Sequence, residues 1–125
     1  MNDMRYSAPH TIDEAVGALV AAKGAGRILA GGTDLLVQMK AGMAKPGVIV
    51  DVKNIAEMNA IEDKGGGAFR IGAAVSGARL GEHAALKKAW PGVVEAINLI
   101  GSKQIQGRAS AGGNLCNASP AADSV

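Results

Sequence analysis

The 125-residue chain is poor in cysteine and in aromatic residues, and each scarcity excludes a class of protein. Its single Cys cannot close an internal disulfide or supply the several thiolates of an iron–sulfur cluster, so we expect a reducing compartment, the cytoplasm. With one Trp, one Tyr and one Phe, the chain has no aromatic platform on which nucleic-acid bases would stack. Aliphatic side chains must therefore fill the core.

The chain also lacks a concentration of charge of either sign. Its formal net charge is +2, with acidic and basic residues interspersed, which excludes a basic stripe for nucleic acid and a polybasic arm for a membrane. No apolar run approaches the ~20 residues that cross a bilayer, and Met1–Arg5 lacks the apolar stretch of a signal peptide. An apolar content of 48% at this length predicts one soluble globular domain, residues 1–125.

Glycine, by contrast, is abundant: there are 18, about twice average usage. Two stretches combine a glycine pair with small polar residues, and we call them the first and second glycine segments. The first, residues 28–35, consists of Ile28, Leu29, Ala30, Gly31, Gly32, Thr33, Asp34 and Leu35. The second, residues 108–123, includes Ser110, Ala111, Gly112, Gly113, Asn114 and Asp123. Both are candidates for binding a ligand through the backbone.

The chemistry that both glycine segments favour is anion binding. A glycine pair lets backbone N–H groups approach an anion with no Cβ in the way, and a following helix adds its own unpaired N–H groups. Since a diphosphate has enough charged oxygens for two segments, together they predict a two-loop diphosphate site. Neither a Rossmann G-x-G-x-x-G nor a P-loop Gly-Lys-Ser/Thr is present. The alternatives are a tight strand-to-helix turn for the first segment and an ordinary surface loop for the second.

Single side chains in these segments carry more specific expectations. Thr33 Oγ either donates to a phosphate oxygen or caps a helix, and Asp34 is expected to point away from a bound diphosphate or to accept backbone N–H groups. We expect Gly32→Val to weaken ligand binding far more than stability. Cys116 is expected to be a small buried thiol, because no His or second Cys accompanies it. We predict no catalytic residue and no metal ligands.

The order of predicted helices and strands indicates an α/β (α+β) fold. A capping box, Thr11 with Glu14, precedes a helix over residues 12–23. Its inward face is predicted to consist of Ile12, Ala15, Val16, Leu19 and Val20. The other predicted elements are strands at 27–30 and 48–52, a hairpin at 60–71, and helices at 34–41, 82–89, 91–100 and 103–106. The inward residues of the 91–100 helix are predicted to be Val93, Val94, Ile97 and Ile100. This order predicts a parallel strand pair.

Four stretches of the chain occur together, in this order, in one known family. They are Tyr6-x-x-Pro9-x-Thr11-x-x-Glu14-Ala15, AGGTDL (residues 30–35), Ile71-Gly72-Ala73-Ala74 and GGNLCNASPAAD (residues 112–123). In these the chain resembles the FAD-binding subunit of molybdenum hydroxylases, which include the flavin domain of xanthine dehydrogenase and the medium subunit of carbon monoxide dehydrogenase. The similarity covers essentially the whole chain, although the family subunit is more than twice as long. It implies the N-terminal part of a PCMH-type FAD-binding fold, with small mixed sheets and flanking helices, and with the C-terminal part missing.

The resemblance also implies the cofactor, FAD, and the residues that contact it. It places residues 28–35 and Ser110–Asn114 on the FAD diphosphate, and Asp123 at a ribose hydroxyl of the adenosine part. Ile100 matches a position beside the flavin, although burial in a helix core explains this residue at least as well. Ala111 departs from the Ile or Val that the family often has there, which leaves less apolar contact.

The function that the resemblance implies is electron transfer inside a complex. A molybdenum-cofactor subunit oxidises the substrate, electrons cross two [2Fe–2S] clusters of an iron–sulfur subunit to FAD, and an acceptor such as NAD or oxygen takes them. Molybdenum and clusters then belong to partner subunits. Two alternatives stay open: a non-catalytic module that holds no FAD, because the part covering the isoalloxazine in relatives is missing, and a stand-alone flavin reductase.

Overall fold

The computed structural model describes residues 4–117, which form helices around two small sheets. In chain order the elements are β1 (Arg5–Ser7), α1 (Ile12–Ala21), β2 (Gly26–Leu29), α2 (Leu35–Lys40), β3 (Val48–Asp51), a 3₁₀ helix (Ala56–Asn59), β4 (Ile61–Gly65), β5 (Ala68–Ile71), α3 (Gly77–Glu82), α4 (Ala84–Ala89), α5 (Pro91–Ile97), α6 (Lys103–Gln106) and α7 (Ala111–Cys116).

The first half of the described chain contains a three-stranded parallel sheet, in the order β1-β3-β2. All four residues of the central β3 are buried, which accounts for its unbroken β-branched run followed by Asp51. The predicted parallel pair is confirmed as β2 with β3, in a register that sets Ile28 beside Val50. The third strand, β1, was not predicted, because three residues are too short to show a period.

Helix α1 covers this sheet with a face that shares only Ala15 and Leu19 with the predicted one. The cap is confirmed, since Thr11 Oγ1 accepts from the Glu14 N–H. The side chains that pack against the sheet are Ala15, Ala18, Leu19 and Ala22. Val16 and Val20, expected inside, are exposed, Val20 by 72%. Small alanines let the helix lie close to β3. This close packing, rather than the hydrophobicity of the larger side chains, determines which face of the helix points inward.

A second core lies between the antiparallel hairpin β4–β5 and helices α3, α4 and α5. Phe69 and Ile71 pack against it, as the hairpin pattern predicts. The helix predicted at 82–89 is confirmed as α4, which begins at Ala84 because His83 separates it from α3. The His83 Nδ1 atom accepts from the Leu86 N–H and caps α4. In α5, Val94 and Ile97 are buried as predicted, whereas Val93 is 41% exposed.

Within the second glycine segment, residues 111–116 form a helix, and their description as a loop is therefore wrong. Ser110 is the N-cap of α7, and its Oγ accepts from the Gly113 N–H at 3.0 Å. This cap stabilises a helical turn through two glycines that have poor helix propensity. A bridge between Ser76 and Ser110, with Gly77 N–H donating to Ala109 O at 2.7 Å, ties the segment to the start of α3.

Candidate functional site

One cavity of about 380 Å³ lies between the two glycine segments, at the carboxyl end of β2. The residues of the first segment that line it are Ile28, Ala30, Gly31, Gly32, Thr33, Asp34 and Leu35. Those of the second are Ser110, Gly112, Gly113 and Asn114. The expectation that the two segments converge in space is confirmed. Such an edge is where ligands bind in open α/β sheets.

The first wall of the cavity, residues 28–35, is the turn from β2 into α2. Among the described residues, the backbone N–H groups of Thr33, Asp34 and Leu35 meet no protein acceptor, whereas the next one, Leu36, donates to Gly32 O at 3.2 Å. The Asp34 carboxylate is exposed and makes no capping hydrogen bond. The wall therefore offers a group of backbone donors, with one carboxylate at its solvent side.

The second wall, residues 109–117, is the start of α7. Ser110 is only 3% exposed, because its hydroxyl is used inside the fold as the helix cap. The Oγ only accepts in this cap, so the burial of Ser110, and not the cap, limits its predicted role as a phosphate donor. Gly112 packs on Ala73: an added Cβ would lie 2.6 Å from Ala73 O. Gly113 faces open space apart from Ser110 Oγ, 3.0 Å from an added Cβ. A ligand can thus approach this wall most closely at Gly113.

The two walls touch each other at their inner ends. A Cβ added to Gly31 would lie 2.1 Å from the carbonyl oxygen of Arg108, so only glycine allows this approach. Gly32 has φ +79°, and an added Cβ would lie 2.9 Å from Leu36 Cδ1. The fold therefore needs glycine at both positions, so Gly32→Val should also cost stability, and its larger effect on ligand binding stays a prediction. At the outer end, Gln38 Nε2 donates to Asn117 Oδ1 at 3.2 Å.

A cluster of polar side chains around the buried Asp51 lies beside the first wall. The Asp51 carboxylate is 5% exposed and accepts from Tyr6 OH, from the Lys53 N–H at 2.9 Å and from the Lys53 Nζ at 2.9 Å. Burial by itself raises the pKa of Asp51, but these hydrogen bonds and the Lys53 charge outweigh it, so the pKa lies below its usual value. The hydrogen bond to Asp51, which favours the protonated phenol, raises the pKa of Tyr6. Asp51 is therefore a carboxylate at neutral pH.

Some predicted residues lie elsewhere, and some lining residues were missed. Leu29 and Ala111 do not line the cavity, and Asp123 lies outside the described residues. Ile100 is 9% exposed and lines the cavity, so its burial is confirmed and its position beside the flavin stays a prediction. Cys116 is exposed at the rim, and its expected burial is wrong. The lining residues that the sequence analysis did not predict as site residues are Arg27, Gln38, Val52, Met58, Ala73, Ala109, Cys116 and Asn117.

Some of these missed residues could have been found from the sequence, and others could not. Arg27 and Gln38 directly flank the first segment, so extending its bounds by one residue and by one helical turn finds both. Arg27 is the cation of the wall, its Nη1 donating to Gly26 O at 2.9 Å. Met58 lies in the 3₁₀ helix, and Ala73 follows β5 within the Ile71–Ala74 stretch, which carries the family resemblance but was not predicted to line the site. Only the tertiary fold brings them to the cavity.

Comparison with known proteins identifies the family of this chain. The model described as "FAD binding domain in molybdopterin dehydrogenase" matches residues 2–125. The chain belongs to this family. The FAD-binding subunit of xanthine dehydrogenase from Escherichia coli O157:H7 is 34% identical over 96% of this chain and 41% of its own length. The nicotinate dehydrogenase FAD-subunit of Eubacterium barkeri is 32% identical over 100% of this chain and 42% of its own.

Solved structures of the family agree with the fold. The reconstituted CO dehydrogenase from Oligotropha carboxidovorans has a chain that matches with a TM-score of 0.91 at 31% identity, over 97% of this chain and 42% of that one. The predicted α/β FAD-binding fold and the family's cofactor, FAD, are thereby confirmed. The chain spans about two-fifths of the length of these relatives.

Two kinds of feature are absent from residues 4–117. None of their helices has the length and apolar character to cross a bilayer. Within the same range, no three His, Cys, Asp or Glu side chains gather where a metal ion would be held.

Proposed function

We propose that the chain holds the diphosphate of FAD between its two glycine segments, as the N-terminal part of the flavin subunit of a molybdenum-containing hydroxylase or dehydrogenase. The observation that carries this proposal is the convergence of both segments on one cavity. Nearly eighty residues of sequence separate them, and one elongated anion contacting both explains why they meet. Membership of the FAD-binding family names that anion.

The donor chemistry of the cavity fits a diphosphate. The Thr33, Asp34 and Leu35 N–H groups have no protein acceptor among the described residues, and an anion would supply one. The Thr33 hydroxyl and the Asn114 amide line the same space, and Gly113 leaves room for close approach. Ile28 and Ile100 add apolar surface for a ring system. Asp123 as a ribose ligand stays a prediction.

The size of the cavity limits how much of FAD it encloses. Ligand pockets that bury most of a drug-sized molecule have volumes of about 300–1,000 Å³. At about 380 Å³ this cavity is near the lower end, whereas FAD is a dinucleotide with a tricyclic ring. We infer that the described residues hold the part that FAD shares with ADP and do not enclose the isoalloxazine.

The role of the subunit follows from its place in a complex. FAD, when bound, supplies the redox chemistry, while the protein binds and orients it. We propose that electrons arrive from the [2Fe–2S] clusters of an iron–sulfur subunit, after a molybdenum-cofactor subunit has oxidised the substrate, and leave to NAD or oxygen. The name of one relative, the carbon monoxide dehydrogenase medium chain of Hydrogenophaga pseudoflava, supports a place in an enzyme of several chains. A cytoplasmic location and a single domain over residues 1–125 remain predictions of the sequence.

The test is titration of the purified chain with FAD, followed by flavin fluorescence, in parallel with calorimetric titration with ADP. If the chain mainly contacts the shared part, the two ligands bind with similar and modest affinity. Submicromolar FAD binding with ADP about a thousandfold weaker, a difference of about 4 kcal/mol, would show that these residues also hold the isoalloxazine. Binding of neither ligand would overturn the proposal.

The limited volume of the cavity also favours one alternative, a non-catalytic module that holds no FAD by itself. A visible spectrum of the purified protein, before and after FAD is added, separates the two, because only a bound flavin acquires a shifted, structured absorption band. Oxidation of NADH by the chain without partner subunits would instead indicate a stand-alone flavin reductase.

A further inference from the structure

A line of hydrogen bonds crosses the sheet at its carboxyl edge and ends on the first wall of the cavity. Tyr6, from β1, donates to Asp51 at the end of β3. The Lys53 Nζ contacts Asp51 Oδ1 at 2.9 Å and donates to Ala30 O, also at 2.9 Å. Ala30 O belongs to the peptide that joins Ala30 to Gly31. Lys53 does not line the cavity, although Ala30 and Gly31 do.

The lysine is itself held in place. Its backbone N–H donates to Asp51 Oδ1 at 2.9 Å, and its carbonyl accepts from Asn59 Nδ2 at 2.8 Å. The Nζ therefore bridges two oxygens from a fixed backbone, with its side chain one-third exposed. The low pKa of Asp51 keeps the partner carboxylate ionised at neutral pH.

The geometry of the peptide unit carries this constraint to the cavity. In a trans peptide the C=O and the N–H point in opposite directions, so fixing Ala30 O beside Lys53 turns the Gly31 N–H away from the lysine. Within residues 4–117 that N–H donates to no protein acceptor. A cation on the carbonyl oxygen also polarises the amide, which makes its N–H a better donor to an anion.

We propose that Lys53 is a positioning residue for the diphosphate site, which fixes the Ala30–Gly31 peptide so that the Gly31 N–H is presented to the phosphate. This inference rests on the proposed function. Asp51 holds the ammonium group, and Tyr6 holds Asp51. The three residues together give the first wall a rigid backbone donor without contacting the ligand themselves.

The test compares Lys53→Met with Lys64→Met in the full 125-residue chain. Lys64 is the matched control, because it also forms an ion pair, with Glu62 at 2.5 Å, on the hairpin away from the cavity. We expect Lys53→Met to weaken ADP binding about tenfold, the equivalent of 1.4 kcal/mol, and to shift the Gly31 amide cross-peak in the ¹H–¹⁵N spectrum of the unliganded protein. Lys64→Met should change neither. Lys53→Arg should restore ADP affinity to within about threefold of the parent, since a cation returns to both oxygens.

Three outcomes would overturn the inference. Parent-like ADP affinity in Lys53→Met, with an unchanged Gly31 amide, means that only the positioning role fails. A lowered melting temperature with unchanged affinity, measured well below that temperature, indicates a merely structural lysine. If the parent chain itself does not bind ADP, the proposed function fails first. Should Lys53→Met not fold, Lys53→Gln, which keeps a donor for Ala30 O but no charge, is measured in the same way against the same criteria.

Discussion

The two glycine pairs of the cavity look alike in sequence but differ in what requires them. In the first pair, Gly31 lies against the backbone of Arg108 and Gly32 has a positive φ. In the second, Gly112 lies against Ala73, but Gly113 has ordinary φ and meets only the Ser110 hydroxyl. Three of the four glycines are thus needed by the fold itself, and only Gly113 is left to serve a ligand alone.

This difference changes how a glycine-rich segment is interpreted. Glycine pairs in a candidate phosphate site are usually taken as room for the ligand. Here the first pair makes room for the second wall, so it builds the cavity by bringing two backbones together. Substitutions in the two pairs therefore separate formation of the cavity from its occupation. Four sets of variants test this distinction, in order of decreasing expected loss of folding free energy.

The largest loss of folding free energy is expected for Gly31→Ala. The new Cβ would lie 2.1 Å from Arg108 O and 3.0 Å from Ala109 N, so the two walls must separate. Because both contacts are backbone, no side-chain rotation relieves them, and we expect a loss of about 3 kcal/mol or more. Gly17→Ala, on α1 with nothing within 4 Å, is the control and should be neutral or slightly stabilising. Urea unfolding measures both, and equal stability of the two variants would contradict the packing argument.

Gly32→Ala should cost less, because the atoms that it meets can move. Its φ of +79° costs an L-residue about 1–2 kcal/mol, and the Cβ would also displace the side chains of Leu36 and Leu29. Gly42→Ala isolates the backbone part, since Gly42 has φ +76° and nothing within 4 Å. We expect the Gly32 variant to lose about 1 kcal/mol more than the Gly42 variant in urea unfolding. Equal losses would mean that the leucines yield without cost.

The sequence predicts the features that depend on local patterns and misses those that depend on close packing in the folded chain. Pairing of β2 with β3, the Thr11 cap and the convergence of the glycine segments all follow from local patterns together with the connectivity of α/β units. The inward face of α1 is predicted only in part, at Ala15 and Leu19, because the small alanines that allow close packing lie inward and the bulkier valines do not. Helix α7 could not be predicted, since its two glycines disfavour a helix and only the Ser110 cap, with its contacts to α3, supports one.

The two buried polar side chains among the described residues, Asp51 and Ser110, lie at different walls and should respond differently to pH. Ser110→Ala removes a neutral cap, a loss of about 1 kcal/mol at every pH. Asp51→Asn removes a carboxylate whose pKa is lowered in the folded state. The resulting loss of folding free energy, about 1–2 kcal/mol, should be fully present above the pKa of this carboxyl in the unfolded state, near 3.9. It should shrink as pH falls through the lower pKa of the folded state.

Urea unfolding of parent and both variants at pH 7 and at pH 2.5 to 3 checks this difference. The gap between parent and Asp51→Asn should narrow in acid, while the gap to Ser110→Ala stays constant. A pH-independent effect of Asp51→Asn would show that the carboxylate is not held ionised by Tyr6 and Lys53. A narrowing gap for Ser110→Ala would mean that its cap depends on a titrating group.

Gly113→Ala should change stability least and ligand binding most. The substitution gains about 0.5–1 kcal/mol of helix propensity, and tight contact with Ser110 Oγ at 3.0 Å offsets part of it. We therefore expect a folding free energy within about 0.5 kcal/mol of the parent. The same methyl group faces the cavity between the walls, where a diphosphate would approach the backbone. ADP affinity should fall about tenfold, or about 1.4 kcal/mol. Gly92→Ala is the control, since Gly92 lies in the first turn of α5 with nothing within 4 Å and away from the cavity. If ADP binds both variants as it binds the parent, the ligand does not approach the second wall at Gly113, and this glycine has no role in binding.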